Sequence, residues 1–366
     1  MKVFVNGIDL IDVVSKVSRA ASTKGMNQVL EGIKLTAKDN SLTLYATDME
    51  ISIQKRIRAD VKEEGEVILS SKKFGGYIKT LGDDIVEIEE KEGIVTIKYV
   101  DSEIKLQAMN PDQYPEKHEA NKENNFVIVQ REFKDMIDKC VFCAAVEEIR
   151  PILKGCLLEI KDYQLNMVAL DGFRMAVVRK QLEQSSTNTN IVVPAKALDE
   201  ISKLLEDDED TVTIYIEENS ITAEMDSLIF TSRLIEGEYT NYNLLLTTDF
   251  NTTIAVEREK LQNAIERACI INLGEKNNNI IYEIKGSIIN ITSRNNADGY
   301  HESIAIRNTG MDITIAFNSK YILDILRTIK DDYIKIQFRS PTSASIICPI
   351  DSNEYTYLVL PVKIQN

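Results

Sequence analysis

Few residues of this sequence have the types and spacing that chemistry requires. Cys140 and Cys143 form a Cys-x-x-Cys pair, but the pair falls within an amphipathic helical pattern and no second pair follows. We therefore expect both thiols to pack in a core. His118 and His301 have no partners at zinc-ligand spacing, and the acidic run at 206–210 is expected to be a solvated loop rather than a metal site.

Catalytic motifs are equally scarce. The sequence contains no glycine-rich phosphate loop and no Gly-x-Ser-x-Gly elbow. A hydrolase or a transferase would need acid, base or metal-binding residues that converge at a recognisable spacing, and none do. We therefore predict no catalytic residue, no cofactor and no metal site, which favours a scaffold over an enzyme.

Composition limits the class of protein. The chain is 43% hydrophobic and 28% charged, which is typical of globular proteins. Its 366 residues are enough for two or three domains. The net charge of −15 argues against a protein that simply coats nucleic acid or anionic lipid. No apolar run approaches the roughly 18 residues of a membrane span, and the start has no leader pattern. We expect a cytoplasmic protein with no membrane partner and with five reduced, mostly buried cysteines.

A strand–turn–strand pattern occurs three times, and it indicates the organisation of the whole chain. The copies are residues 42–58, 165–179 and 288–306. The turn residue Asp48 lies 123 residues before Asp171, and Asn295 lies 124 residues after it. In the second copy Asp171 is followed by Gly172, which tolerates the positive φ of a tight turn. A constant period of this kind predicts a triplicated domain.

Each repeat shows the same order of elements, namely a helix, strands, a second helix and an antiparallel meander. The predicted helices are 8–24, 71–81, 130–146, 195–207, 258–271 and 318–330. Ser71 is the expected N-cap of the second helix. The predicted class is α+β, with two helices packed on antiparallel sheets in each of the domains 1–122, 123–249 and 250–366.

Charge is unevenly distributed between the helices and the rest of the chain. Over the helical windows 8–24, 71–80, 131–143, 194–205, 258–267 and 318–330 the charges sum to +7, so the remainder of a chain of net charge −15 carries −22. Helices that face a polyanion would explain this pattern, with sheets facing solvent. Solvent-facing helices that simply collect lysines would explain it equally well.

The repeat, the helix pairs and four local motifs together resemble the bacterial β sliding clamps, the beta subunits of DNA polymerase III. The motifs are ATDME at 46–50, ALDGFRMA at 169–176, FNSKY at 317–321 and LVLPVK at 358–363. The resemblance covers all three domains and implies a head-to-tail dimeric ring around duplex DNA, with helices inside. It implies a processivity factor and not an enzyme. The alternative is an interaction scaffold that does not encircle DNA, which would leave the basic helices without a role.

Helix geometry favours two chains per ring. If helix axes are about 9–10 Å apart, six helices form a circle of roughly 18 Å and leave a hole of under about 10 Å. That hole is narrower than the major groove, which is about 12 Å wide. Twelve helices leave a hole of about 25 Å, wide enough for a duplex.

The resemblance also implies three surfaces. Residues facing DNA, in contact with phosphates and without reading bases, would be Lys16, Arg19, Lys24, Lys72, Lys73, Lys79, Arg150, Lys196, Lys203, Lys320 and Arg327. The dimer would pair the strand 103–109 with the partner's strand 300–307, and would place Ile104 and Leu106 against Ile270 and Ile271.

The third implied surface is a cleft between domains 2 and 3 that binds a short hydrophobic motif of the replicative polymerase, the clamp loader and other clamp-binding proteins. Its residues would be Leu153, Leu170, Gly172, Phe173, Arg174, Met175, Thr240, Leu244, Leu245, Asn318, Tyr321, Pro361, Val362 and Lys363. Leu170, Phe173, Thr240 and Leu244 stand where the family commonly has Thr, His, Pro and Arg, so we expect a more apolar pocket. In the alternative interpretation Leu170 and Met175 only pack the sheet.

Overall fold

The computed structural model describes residues 1–23, 27–147, 150–246, 248–271, 278–295 and 298–364. The first third contains β1 (Lys2–Asn6), α1 (Gly7–Val17), β2 (Gly32–Lys38), β3 (Ser41–Thr47), β4 (Ile51–Arg58), β5 (Asp60–Glu63), β6 (Gly65–Ser70), α2 (Ser71–Ile78), β7 (Ile85–Lys91), β8 (Ile94–Tyr99) and β9 (Ser102–Gln107). The middle third contains β10 (Asn125–Val129), α3 (Gln130–Cys140), β11 (Gly155–Lys161), β12 (Gln164–Leu170), β13 (Arg174–Gln181), β14 (Gln184–Ser185), β15 (Thr189–Pro194), α4 (Ala195–Ser202), β16 (Thr211–Ile216), β17 (Ser220–Met225) and β18 (Leu228–Arg233). The last third contains β19 (Thr252–Glu257), α5 (Arg258–Ile270), β20 (Asn279–Lys285), β21 (Ile288–Arg294), β22 (Gly299–Ala305), β23 (Arg307–Gly310), β24 (Ile313–Asn318), α6 (Ser319–Thr328), β25 (Tyr333–Phe338), β26 (Ser345–Pro349) and β27 (Tyr355–Val359).

These elements form two compact units. The first comprises Met1–Arg131, Gln184–Thr187 and Glu200–Leu234. It contains a five-stranded sheet of order β5-β1-β7-β8-β9 and a nine-stranded sheet of order β14-β10-β16-β17-β18-β4-β3-β2-β6. The pairing of β18 with β4 joins strands of two successive repeats in one antiparallel sheet.

The second unit comprises Glu132–Glu183, Asn188–Asp199 and Ile235–Asn366. Its nine-stranded sheet has the order β15-β11-β12-β13-β27-β26-β25-β19-β23, and its four-stranded sheet has the order β22-β21-β20-β24. Here β13 pairs with β27, so that strands of the second and third repeats are again neighbours.

Apolar periodicity determines how the helices pack. In α1 the buried side chains are Leu10, Val13, Val14 and Val17, the face that the sequence predicts, and α1 contacts β3 and β4. The Asn6 side chain caps α1 by accepting hydrogen bonds from two backbone N–H groups of its first turn. Asn318 caps α6 in the same way, with its Oδ1 3.0 Å from the Lys320 nitrogen.

The three predicted strand–turn–strand units are confirmed as the hairpins β3–β4, β12–β13 and β21–β22. In the first hairpin Asp48 Oδ1 accepts hydrogen bonds from the backbone N–H groups of Glu50 and Ile51, at 2.9 and 2.8 Å. In the third hairpin Asn295 Oδ1 accepts one from the Asp298 N–H at 2.7 Å. A side-chain oxygen therefore closes the turn in both.

The predicted helix ends need correction. The first α-helix ends at Val17 instead of 24, and the third at Cys140 instead of 146. At the end of α3 the carbonyl oxygen of Lys139 accepts a hydrogen bond from Tyr357, and in the 3-10 turn that follows, the carbonyl oxygen of Phe142 accepts one from Arg174. Side chains distant in sequence thus satisfy the last carbonyl groups, which local periodicity does not reveal.

Other boundaries also differ. The second, fourth and sixth helices end at Ile78, Ser202 and Thr328, two to five residues earlier than predicted. Ser71 is the first helical residue and not the N-cap, a position that Ser70 occupies. The sequence prediction missed the short edge strands β5, β14 and β23, which have too few residues to show an alternating pattern.

Candidate functional site

Several side chains of the second unit converge on the turn between β12 and β13. Asp171 Oδ1 accepts hydrogen bonds from the backbone N–H groups of Phe173 and Arg174, at 2.9 and 3.0 Å. Gly172 has a φ of +87°, and a Cβ atom there would meet nothing within 4 Å, so its backbone angle is the reason for glycine. The geometry repeats that of Asp48 in the first hairpin. It presents Phe173 outward and Arg174 inward.

Arg174 is 9% exposed, and charged groups surround its guanidinium. Nε lies 3.0 Å from Asp171 Oδ2, one terminal nitrogen lies 2.7 Å from Asp324 Oδ2, and the other lies 2.8 Å from the Phe142 carbonyl oxygen. Burial alone would lower the pKa of Arg174, but the hydrogen bond to Asp324 and the charge of Asp171 raise it above its ordinary value. The buried cation is therefore fully paired.

Aromatic rings enclose the same guanidinium. Its central carbon lies 5.3 Å from the Phe142 ring centroid and 4.8 Å from the Tyr321 centroid. Tyr321 in turn stacks on Phe173, with 6.2 Å between centroids and 21° between ring planes. We call the series Phe142, Arg174, Tyr321, Phe173 the aromatic stack. Its outer member, Phe173, is 59% exposed.

A buried apolar cluster lies in the same unit. Three residues of the predicted pocket, Leu153, Leu170 and Met175, belong to it. Its other members are Ala145, Leu157, Val168, Val177, Val192, Tyr242, Ile346, Cys348 and Leu358. All three predicted residues are buried, so their side chains form a packed floor. This burial agrees with the interpretation in which Leu170 and Met175 only pack the sheet, and their contact with a peptide stays a prediction.

Several exposed apolar side chains lie close in sequence to members of that cluster. Each lies within two residues of a cluster member in sequence: Val146, Phe173, Leu244 and Leu360. Leu244 is 82% exposed. The backbone N–H of Leu360 donates to the Phe173 carbonyl oxygen at 2.9 Å, which joins the end of β27 to the turn. Of these four exposed residues, Phe173 and Leu360 are therefore shown to be neighbours.

The remaining predicted pocket residues occupy varied places. Leu245 is exposed at the end of a 3-10 turn, while Thr240 and Pro361 are half-buried. Val362 pairs with Ala316, with its N–H donating to the carbonyl oxygen at 2.8 Å. Lys363 is exposed, and Asn318 caps α6.

The sequence analysis missed three residues of this site. Phe142 stands inside the Cys-x-x-Cys pair, and only its contact with Arg174 reveals its role. Asp171 was noted as a turn residue but not as a partner of Arg174. Asp324 lies three residues after Tyr321 on α6, a spacing that places both on one helix face and was the available signal.

The cations predicted to face DNA fall into two groups. Four of them form ion pairs: Lys16 with Asp12 and Glu206, Arg19 and Lys203 with Glu200, and Arg327 with Glu266. The other described ones are exposed, and no ion pair of theirs is found within the described residues: Lys72, Lys73, Lys79, Arg150, Lys196 and Lys320. Lys24 lies outside the described residues.

The predicted interface strands correspond to β9 and β22, each at the edge of its sheet. Ile270, at the end of α5, is 61% exposed, whereas Ile271 and Ile104 are half-buried. Leu106 is 8% exposed and belongs to the core of its own unit. Of the four, Ile270 offers the most free apolar surface.

The cysteine pair and the histidine of the sequence 116–122 make structural contacts. Cys140 and Cys143 are buried free thiols, as expected, although the pair extends past the end of α3 into a 3-10 turn. Burial raises the pKa of both thiols well above the ordinary value. His118 contacts Glu217. Within the described ranges, no group of three or more His, Cys, Asp or Glu residues is placed to hold a metal, and no helix is long and apolar enough to cross a membrane.

The hairpin repeated three times, with helices and antiparallel sheets in each repeat, is typical of the class of three-domain clamp folds. Family models match the chain over nearly its whole length: the N-terminal, central and C-terminal domains of the DNA polymerase III beta subunit match residues 1–118, 127–241 and 244–363. The chain therefore belongs to the DNA polymerase III beta subunit family, the beta sliding clamps.

Individual relatives and solved structures that are similar to the chain are also sliding clamps. The beta sliding clamp of Halalkalibacterium halodurans is 30% identical, with 96% of each chain covered. The crystal structure of the DNA polymerase sliding clamp from Bacillus subtilis has a TM-score of 0.97 at 27% identity, with 100% of each chain covered. A sliding clamp from Pseudomonas aeruginosa bound to griselimycin has a TM-score of 0.95 at 25% identity and the same coverage. The function of the chain is that of a DNA polymerase processivity factor.

Proposed function

We propose that two copies of this chain assemble head to tail into a closed ring around duplex DNA. The domains 1–122, 123–249 and 250–366 would each contribute two helices to the inner wall. The ring is supported by β9 and β22, which lie at sheet edges and present backbone N–H and C=O groups for pairing with another chain. The exposed Ile270 adds apolar surface beside the pairing. The protein then acts by topology in the cytoplasm, without catalysis.

The inner wall is proposed to contact phosphates without reading sequence. The exposed cations Lys72, Lys73, Lys196 and Lys320 support this. Contacts between mobile lysines and phosphates are weak and sensitive to salt. Such contacts let the ring slide while the closed circle prevents its escape.

The surface around the apolar cluster is the proposed docking site for partner peptides. The observation that carries this assignment is the exposed Phe173, which the aromatic stack holds at the turn between β12 and β13. The exposed Leu244 is proposed as part of the same surface. A few apolar side chains of a partner can supply most of the affinity at such a site. The proposed partners are the replicative polymerase, the clamp loader and other proteins with a clamp-binding motif.

The test is retention on DNA by gel filtration. The protein is loaded by its ATP-driven loader onto nicked circular plasmid, and the complex is run at high salt before and after a single restriction cut. We expect retention on the circle and loss from the linear form, because topology and not affinity holds the ring.

Equal retention on both forms would indicate an ordinary DNA binder. No retention with an active loader would favour the scaffold that never encircles DNA. A clamp of known activity, loaded in parallel, controls for the loader and the nick.

A further inference from the structure

Asp324 lies on α6, outside every residue set that the sequence predicts for the site. Its Oδ2 accepts a hydrogen bond of 2.7 Å from Arg174. The carboxylate is 23% exposed and faces a guanidinium that is 9% exposed. Hydrogen bonds between two charged groups are short and directional, so this contact restrains the plane of the guanidinium.

The three groups that hold Arg174 have different origins. Asp171 belongs to the same hairpin as Arg174 and moves with it. The Phe142 carbonyl belongs to the 3-10 turn after α3. Asp324 is the hydrogen-bonding partner on α6, the helix that also carries Tyr321. It therefore links the turn with Phe173 to the helix with Tyr321.

We propose that Asp324 is a positioning residue of the peptide site, which holds Arg174 against Tyr321 and thereby fixes the orientation in which Phe173 is presented to a partner. The inference rests on the proposed peptide-binding function. An exposed aromatic side chain that is already ordered loses little further rotamer freedom on binding, whereas a disordered one loses more. Asp324 would thus act on affinity without touching the peptide.

The first measurement reads the stack itself. The sequence has no tryptophan, so Phe173→Trp places one indole at its outer end. In that background, Asp324→Asn keeps the side-chain size but removes the charge, and we expect greater acrylamide quenching and lower fluorescence anisotropy. Asp324→Glu retains the charge and is expected to restore both. Glu266→Gln is the matched control, because it removes a carboxylate that faces Arg327, a different cation of α6.

The second measurement reads binding in the protein with native Phe173. The probe is a fluorescein-labelled synthetic copy of the clamp-binding segment of the cognate replicative polymerase, titrated by anisotropy. We expect Asp324→Asn to raise its Kd about tenfold, and Asp324→Glu and Glu266→Gln to leave it within about twofold. Thermal unfolding by circular dichroism identifies a variant that does not fold. In that event Arg174→Lys, which keeps the charge without the planar fork, carries the same expectation.

The outcomes distinguish the positioning role of Asp324 from the peptide-binding function on which it rests. An indole that is unchanged by Asp324→Asn overturns the positioning role, whatever happens to the peptide. A changed indole with an unchanged Kd overturns it as well, because the stack would then be irrelevant to binding. If the wild-type protein does not bind the probe at all, the peptide site itself is wrong, while the indole still reports whether Asp324 orders the stack.

Discussion

The hydroxyl of Tyr114 donates a hydrogen bond of 2.9 Å to the carbonyl oxygen of Gly32, 82 residues earlier in the chain. The same hydroxyl accepts a hydrogen bond from the Thr47 N–H at 3.2 Å. Tyr239 repeats the arrangement in the second repeat, where its hydroxyl lies 3.3 Å from the Gly155 carbonyl oxygen. In both cases a phenol hydroxyl ties the segment that leaves a meander to the start of a strand in the same repeat.

Tyr114→Phe should lower the free energy of unfolding by about 1–3 kcal/mol, because the Thr47 N–H and the Gly32 carbonyl lose a buried partner. Urea denaturation followed by circular dichroism measures the change. Tyr163→Phe removes the hydroxyl of an exposed tyrosine and is the control, expected within about 0.5 kcal/mol of wild type. Equal effects of the two substitutions would mean that the buried hydrogen bonds contribute nothing.

Leu244→Asp should weaken binding of the labelled polymerase peptide about tenfold or more, since it places a charge on an apolar docking surface. The unfolding temperature should change little, because Leu244 is almost fully exposed. Met311→Asp makes the same chemical change at another exposed position and should leave the Kd unchanged. The assignment of Leu244 to the docking surface fails if the two variants bind alike.

Ile270→Asp should weaken the dimer, because a carboxylate would be desolvated when the interface closes. Ile271→Asp carries the same expectation, but Ile271 is half-buried, so folding must be checked first. Sedimentation velocity at low concentration measures the monomer fraction. Ile8→Asp, an equally drastic change at the exposed start of α1, is the control. A sedimentation coefficient that Ile270→Asp does not change would exclude this residue from the interface.

Exposed lysines should contribute more to DNA binding than lysines in ion pairs do. Replacing both Lys72 and Lys73 by Ala should reduce the slope of log K against log salt by about 0.9 for each phosphate that the protein no longer neutralises. Lys16→Ala should have less effect, because Asp12 and Glu206 already balance its charge. Fluorescence anisotropy with a labelled duplex, over a series of salt concentrations, distinguishes the variants. Equal slopes for the two variants would contradict the expectation that exposed lysines contribute more to DNA binding than lysines in ion pairs.

Glu217→Gln should destabilise the protein at neutral pH by about 1 kcal/mol. Burial alone would raise the pKa of Glu217, but hydrogen bonds from His118, Asn121 and Ser220 outweigh it and lower the pKa below its ordinary value of 4.5. A carboxyl group whose pKa is lowered by folding contributes stability above its unfolded pKa, and the contribution is lost as pH falls through the folded value.

The difference in unfolding temperature between wild type and Glu217→Gln should therefore be constant above about pH 5 and should shrink below it. Differential scanning calorimetry from pH 7 to 3 gives both curves. The control is Glu218→Gln, which removes the neighbouring exposed carboxylate and should change the unfolding temperature little. A difference that is the same at pH 7 and pH 3 would rule out the carboxylate as its source.

Much of the fold follows from local pattern. The alternation of apolar residues and the Asp-Gly turn predict the β12–β13 hairpin, and the 3.6-residue spacing predicts the buried face of α1. The same turn pattern, repeated at a constant interval, predicts the triplication. Each hairpin and each helix face depends on residues that are close together in the chain, so it can be predicted from the sequence alone.

The peptide site was predicted through motifs that resemble a known family, and its contacts were not. The motif at 169–176 includes Phe173 and Arg174, but no spacing indicates that Arg174 meets Asp324, 150 residues later. The sequence also does not predict which apolar side chains are exposed. Ile270 and Ile271 are identical in type and adjacent, yet only Ile270 is exposed.

The repeats, the turns and the faces of the helices can be predicted from the sequence alone, because each depends on local backbone preference and apolar periodicity. The pairing of β4 with β18 and of β13 with β27, and the ends of α1 and α3, depend on tertiary packing. Sheet edges accept many partners, and the last carbonyl groups of a helix can be satisfied by any nearby donor. The choice among them depends on how the whole chain packs.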